Sequence, residues 1–555
     1  MMRWAIMATL LIPIMAGVAG VVFPAFGVLP VLGQVRPGVD ALVQVMEVPG
    51  FSASVRLTLF TGFMGTFLSA AISLLLPGLL FQSPRFGLLR RYLAPVLSLP
   101  HVTMAVGLLF LLQPSGWLIR LISPWLTGWT RPPNLALVPD EAGIVLILGL
   151  MAKEVPFLVL MVLAALGQIN PARLMTSARS LGYGQMTSWV MVVLPQLWPR
   201  MRLPVLIVLV FSLSVVDMAV VLAPGTPPPL AVRVLRWYQD PDLGLRFLAS
   251  AGALVQLVLV VFGFGLLLGL EHLAGRFGRW ISFRGVRFRR GRKIMHQAVA
   301  ALLLAGGLLP FVLALMGLFS ALIWSVAGIW RFPDALPTLL TLRYWSGLEG
   351  GLGPALVETL LIGVVSAFLG VVLVIIWLEQ KSARAGISEE LIFMPLLIPQ
   401  IGFLFGLQIV LLWLGLDGRR LALIWAHLLF VFPYAWLTLA PSWRAYPREW
   451  DILAATMGKS WPERFFRVKL TLLLTPVLTA FAIGFSVSAA LYLPTVFAGN
   501  ARIQTLTVEA VTLATGAGRQ PLGVATGLQM LLPFLVFVLT GAISHWRFRR
   551  FSGIS

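Results

Sequence analysis

Few side chains in this 555-residue chain could do chemistry, and several of them sit where charge is expensive. Lys153 and Glu154 are neighbours within one apolar stretch, and Asp217 follows Ser212 and Ser214 in another. Glu358 lies nearer the end of an apolar run. An ionised group at the centre of a membrane helix costs about 2.5–3.5 kcal/mol on insertion scales, so such residues mark a pathway or a packed polar bridge. Gly458-Lys459-Ser460 resembles the end of a phosphate-binding loop, but Leu453 stands where the earlier glycine is required and no strand precedes it. The five histidines, His101, His272, His296, His427 and His545, are scattered without metal-ligand spacing. There is no cysteine, which excludes disulfides and thiolate chemistry. With no Ser–His–Asp set and no paired carboxylates, the expectation is a chain that is not an enzyme and binds no cofactor or metal of its own.

The elements that position these residues are membrane helices. Hydrophobic residues make up 59% of the chain, charged residues 11%, and the mean hydropathy is +0.94. Ordinary soluble domains carry about 25% charged residues. Apolar runs long enough to cross a ~30 Å hydrocarbon core recur from end to end. The pattern predicts an all-α polytopic membrane protein with twelve spans, near 4–32, 55–77, 93–113, 143–168, 203–224, 247–270, 299–325, 356–378, 392–415, 421–441, 475–498 and 525–546. The first run is too long for a signal-peptide core and is read as a retained span. The net charge of +21 does not indicate nucleic acid, because the basic residues fall in short loops between spans. With both termini in the cytoplasm, roughly two thirds of the Lys and Arg residues lie on the cytoplasmic side. The most basic loop, 271–298, reads as an anchor against anionic headgroups.

The two halves match in order. Thr58-Leu59-x-x-Gly62 with Phe67-Leu68 returns as Thr359-Leu360-x-x-Gly363 with Phe368-Leu369. Pro100-x-Val102 with Gly107 returns as Pro399-x-Ile401 with Gly406. Pro156-Phe157 answers Pro433-Tyr434, and Phe211-Ser212-Leu213-Ser214 answers Phe485-Ser486-Val487-Ser488. The expected organisation is a parallel duplication, 1–270 and 299–555, each of six spans, joined by the linker 271–298. A parallel repeat implies a pathway between the halves.

Two polar inserts interrupt the apolar pattern, at 171–200 and 446–474. In the first, Asn170 can cap a helix opened by Pro171, and Gly182 supplies the left-handed residue that ends it. Pro195 then resets the chain, which re-enters the membrane near Pro204. In the second, Pro447 opens, Gly458 stops, and Ser460-x-x-Glu463 reads as a capping box. Each insert is predicted to form a helix–turn–helix elbow on the cytoplasmic face, with Trp189, Trp461, Phe465 and Phe466 available for docking.

The inserts resemble the E-A-A-x-x-x-G-x9-I-x-L-P loop of ABC importer membrane subunits. The first copy reads Thr176-Ser177-Ala178-x-x-x-Gly182, nine residues, then Val192-x-Leu194-Pro195. The second reads Ile452-Leu453-Ala454-x-x-x-Gly458, nine residues, then Val468-x-Leu470-Thr471. The acidic first residue is absent from both copies and the closing proline from the second. The resemblance is to fused permeases of type I importers (the MetI-like transmembrane domain) of the iron(III), thiamine and aminoethylphosphonate kind. It implies a bacterial inner-membrane subunit whose two loops dock on a cytoplasmic ATPase homodimer, which binds the ATP and magnesium, while a periplasmic binding protein delivers substrate. Asp217, Ser212, Ser214, Ser486, Ser488 and Glu154 are the candidate pathway residues, with His101 and Gln400 behind them. The rival reading is a twelve-span transporter driven by an ion gradient.

Overall fold

A computed structural model describes residues 2–81, 83, 86, 99–135, 137–284, 293–347, 351–380, 389–516 and 518–549. The described residues form helices and turns without a β-sheet, as expected of backbone that must satisfy its polar groups internally within hydrocarbon. The helices that matter below are α1 (Met2–Ala25), α2 (Phe51–Leu80), α3 (His101–Leu112), α4 (Ile144–Leu166), α5 (Pro171–Ser180), α6 (Leu194–Ser214), α7 (Asp217–Leu222), α8 (Leu230–Gln239) and α9 (Leu245–Phe283). The second half contributes α10 (Lys293–Val326), α11 (Leu352–Glu379), α12 (Leu404–Trp413), α13 (Arg420–Arg444), α14 (Glu449–Thr456), α15 (Leu474–Ala490), α16 (Leu493–Gly499), α17 (Leu506–Thr515) and α18 (Arg519–Arg549).

Among the described residues, ten helices are long and apolar enough to cross a bilayer. A pair bent by 72°, Trp461–Leu472 and Leu474–Ala490, makes an eleventh if it is taken as one broken span. The expected ninth span, 392–415, is in pieces: Met394–Leu397, a turn at Gln400–Gly402, then α12. Pro395 and Pro399 each remove a helix donor there, and the ten residues of α12 make only about 15 Å of helix. Residues 93–98 of the expected third span, 93–113, fall outside the described residues, and the helical stretch that follows, His101–Ile122, is long and apolar enough to cross. The spans expected at 203–224 and 475–498 are broken, at Val215–Val216 and at Leu491–Tyr492. The expected linker 271–298 is helical through residue 283, because α9 runs on past the span. The Arg202–Glu271 ion pair, at 2.6 Å, ties that extension to α6.

Helices α2, α4 and α6 pack together, as do α11, α13 and α15. The first helix of each half leaves its own group: α1 lies along α12, and α10 lies along α3. Glycines make both crossings. A Cβ on Gly406 would stand 2.0 Å from the Gly17 carbonyl oxygen and 2.8 Å from Gly20 Cα. A Cβ on Gly317 would stand 2.4 Å from the Gly107 carbonyl. Helices in lipid associate by such close approach, since apolar side chains gain nothing by leaving the tails.

Other matched residues also make matched contacts. The Thr58 hydroxyl accepts from the Leu230 N–H at 2.8 Å, and the Thr359 hydroxyl accepts from the Leu506 N–H at 2.9 Å. Each threonine thus satisfies an orphan donor at a helix start, of α8 and of α17. The matched glycines also face the matched helices, though not at matched residues: Gly62 receives Leu213 of α6, and Gly363 receives Phe485 of α15.

Candidate functional site

The two inserts share one construction. In the first, the Asn170 side chain accepts from the Arg173 N–H at 3.1 Å and caps α5, with Pro171 at its first position. Gly182 then takes φ +88°, the left-handed conformation that glycine adopts without penalty. A short helix, Gln185–Ser188, passes through a π-turn at Trp189–Val193 into α6. The chain is not reset at Pro195: the helix continues through Pro195, Pro199 and Pro204 to Ser214. In the second insert α14 begins at Glu449, two residues after Pro447, and Gly458 takes φ +75°. Ser460 caps the following turn, and the Glu463 carboxylate accepts from the Ser460 N–H at 3.2 Å. A π-turn follows here too, at Arg464–Lys469. In both copies the third-position alanine, Ala178 or Ala454, is buried and the glycine is exposed. Thr176, Ser177 and Pro195 are exposed or half-buried at the surface, while Leu194, Val468 and Leu470 are half-buried.

The elbows differ in how they are fastened. Trp189 is fully buried, donates from Nε1 to the Leu74 carbonyl at 2.8 Å, and fills the space above Gly78. The Gln185 amide donates to the Gly78 and Leu79 carbonyls at 3.0 and 3.1 Å. Trp189 is therefore part of the fold, where the sequence suggested a docking residue. In the second elbow Lys469 pairs with Glu379, whose Oε1 also accepts from Trp443 Nε1 at 3.0 Å. Phe465 stacks on Trp461 at 5.4 Å, and Trp461 and Phe466 are exposed. The Tyr446 hydroxyl donates to Asp451 at 3.2 Å. Burial first, then the Asp451 and Glu379 carboxylates, push it up to about 12, so it remains a donor at neutral pH.

A second constellation lies deep in the bundle. His101 opens α3, and its Nε2 stands 3.5 Å from Glu154 Oε1 on α4. Its ring rests 4.4 Å from that of Phe211. Lys153 donates to the Leu99 carbonyl at 2.5 Å. Asp217 is buried at the first position of α7, where its Oδ1 accepts from the Met218 N–H at 2.9 Å. Asp217 lies within electrostatic reach of His101 and of Tyr492, and Glu154 within reach of Tyr434. Electrostatic reach, without a direct contact, thus runs from Glu154 and Asp217 of the first half to two tyrosines of the second. Both helix breaks belong to this constellation: α6 gives way to α7 at Asp217, and α15 to α16 at Tyr492.

The serines divide. Ser214 donates to the Val210 carbonyl at 2.6 Å and Ser486 to the Ala482 carbonyl at 2.9 Å, each within its own helix. Ser488 is bonded to His427 Nδ1 at 2.7 Å, and His427 Nε2 to Thr495 at 3.1 Å, a buried bridge that ties α13 to α15 and α16. Ser212 is buried and its hydroxyl has no hydrogen-bond partner among the described residues. Glu358 is held by Arg420 at 2.5 Å. Gln400 sits in the turn ahead of α12. Among the described residues no group of His, Asp and Glu could hold a metal ion.

Tyr434 and Tyr492 do not stand out in the sequence as pathway residues. A signal existed: the chain has seven tyrosines against 35 phenylalanines, so a tyrosine inside an apolar run is itself a polar placement.

No protein-family model matches the chain, and no solved structure matches it. It is 32% identical over 477 residues to the Escherichia coli (strain K12) protein described as "Inner membrane ABC transporter permease protein YnjC". The match covers 86% of this chain and 84% of that protein. The chain belongs to the ABC transporter permeases. As such a permease it is a multi-pass inner-membrane protein and a transport subunit, in keeping with its array of apolar helices.

Proposed function

We propose that this permease is the fused membrane subunit of a type I importer, with both transmembrane halves on one chain. Its two elbows face the cytoplasm and each receives one subunit of an ABC ATPase, while a binding protein delivers substrate to the opposite face. The observation that carries this reading is the repeated construction of the elbows: a short helix, a left-handed glycine, a second short turn of helix and a π-turn, at matched spacing. A helix pair that only rested on the bilayer would have no need of that register in both copies. ATP-driven approach of two ATPase subunits would then move both elbows and re-aim α6 and α15, to which they are joined. Those are the helices that break beside Asp217 and Tyr492, so in this reading the polar cluster belongs to the translocation pathway. Substrates of the iron(III), thiamine or aminoethylphosphonate kind fall within it.

The test is uptake into membrane vesicles that hold the permease with its ATPase and binding protein. Uptake should follow ATP and survive dissipation of the ion gradients. Uptake that collapses with the gradient while ATP is held would establish the ion-driven alternative. Within the same assay Asp217→Asn should lower uptake by roughly tenfold or more with complex assembly intact. Wild-type uptake kinetics would return Asp217 to a packing role.

A further inference from the structure

We infer that the two elbows are unequal: the second is the apolar anchor of the ATPase, and the first is a polar contact bolted to α2. This inference rests on the proposed docking and assigns its energy between the copies. Aligned on Gly182 and Gly458, the elbows put different chemistry at the same positions. Thr176 and Ser177 stand where the second copy has Ile452 and Leu453. Gln185, spent on the Gly78 and Leu79 carbonyls, stands where the second copy has Trp461. Ile452, Leu453, Met457 and Trp461 are 63, 54, 71 and 58% exposed. In the first elbow Leu181 alone is comparable, at 65%. The other exposed side chains on α5 are small or cationic, including Arg173 and Arg179.

An exposed cluster of large apolar side chains rimmed by charge marks an interaction surface, and tryptophan in such a cluster is the usual source of binding energy. Glu449, Lys459 and Arg467 provide the rim here. The bilayer does not account for the cluster. In the proposed topology both elbows lie on one face of the membrane, so a lipid-facing surface would be apolar in both, and the first copy is polar. The fitting occupant is an ATPase groove with an apolar floor. Asymmetric anchoring also has a mechanical sense. The second elbow holds the partner, while the first, locked through Trp189 and Gln185 to α2, passes displacement into the core with little slack.

The experiment uses the full-length permease in nanodiscs and the ABC ATPase subunit that co-purifies with it, separately purified. Binding is measured for a second-elbow variant (Leu453→Ser, Met457→Ser, Trp461→Ser) and a first-elbow variant (Ser177→Ala, Leu181→Ser). The single change Met457→Asp, at the most exposed of these positions, serves if the triple variant fails to fold. The second-elbow variant should weaken binding on the order of 100-fold or more and the first-elbow variant by less than about tenfold. An equal or larger loss at the first elbow overturns the inference and leaves the docking itself standing. Unchanged binding in both variants overturns the docking as well. Quenching of Trp461 by brominated lipid, unaltered by saturating ATPase, would assign the cluster to the membrane and overturn the inference.

Discussion

Gly406→Leu is expected to leave little folded permease in the membrane, and to lower the apparent unfolding midpoint sharply in whatever is recovered. The reason is the nature of the atoms in the way. A Cβ on Gly406 would stand 2.0 Å from the Gly17 carbonyl oxygen and 2.8 Å from Gly20 Cα, so the obstacle is the backbone of α1 itself. A flexible side chain could turn aside; a helix backbone cannot. Overpacking in a core typically costs about 1–3 kcal/mol, and prising two helices apart at their closest point also weakens the dispersion attraction along the whole crossing. α1 has few other holds on the second half. These include Arg3, which donates to the Gln380 carbonyl at 2.6 Å, and the Thr9 carbonyl, which accepts from Trp425 Nε1 at 3.0 Å. The control is Gly265→Leu on α9, where nothing lies within 4 Å of the added Cβ. That variant should express and melt like the wild type. Equal behaviour of the two variants, measured by detergent-solubilised yield and fluorescence-detected thermal shift, would refute the packing argument.

The same glycine shows where sequence reading stops. Gly107 and Gly406 are recognisable in the sequence as matched positions and as packing residues, because small residues within apolar spans have few other uses. Their partners are not. That α1 and α10 stand outside the three-helix groups and reach across to lie along α12 and α3 is a fact of tertiary arrangement, and an apolar helix is equally apolar toward any neighbour. Hydropathy also cannot distinguish a continuous span from one broken at its middle. Val215–Val216 and Leu491–Tyr492 sit within apolar surroundings, and the breaks are visible only in the backbone. The prolines of the ninth span are plain in the sequence, but the length of the apolar run conceals their effect. The elbows are legible for the opposite reason. Their caps and glycines are local devices whose geometry is set by the residues themselves, so Asn170, Gly182 and Gly458 do what their types suggest. The burial of Trp189 is non-local: it depends on Gly78, more than a hundred residues away, having no side chain. Of the polar cluster, Glu154 and Asp217 announce themselves by charge. The tyrosines within their electrostatic reach come from the other half and need the fold to bring them in.

Joint replacement of Gly182 and Gly458 by proline should abolish co-purification of the ATPase and reduce ATP-driven uptake to background, while the permease still inserts. Both glycines hold positive φ, +88° and +75°, and proline is confined near about −65°. Each also donates a backbone hydrogen bond that closes its helix, Gly182 to the Arg179 carbonyl and Gly458 to the Ala455 carbonyl, both at 3.0 Å. Proline removes that donor. The chain after the turn must then leave in another direction, which re-aims the helix before it relative to α6 or α15. Open space surrounds both glycines, so the core packing is undisturbed and the loss of stability should be small. That separation of folding from coupling makes the pair informative. The matched control is asparagine at both positions, since it tolerates the left-handed conformation and keeps the donor; it should retain most of the binding. Undiminished ATPase binding by the proline pair, in a permease of normal yield and thermal stability, would remove the coupling role from the elbows. Loss of binding in the asparagine pair as well would shift the explanation from backbone direction to contact at the glycine itself.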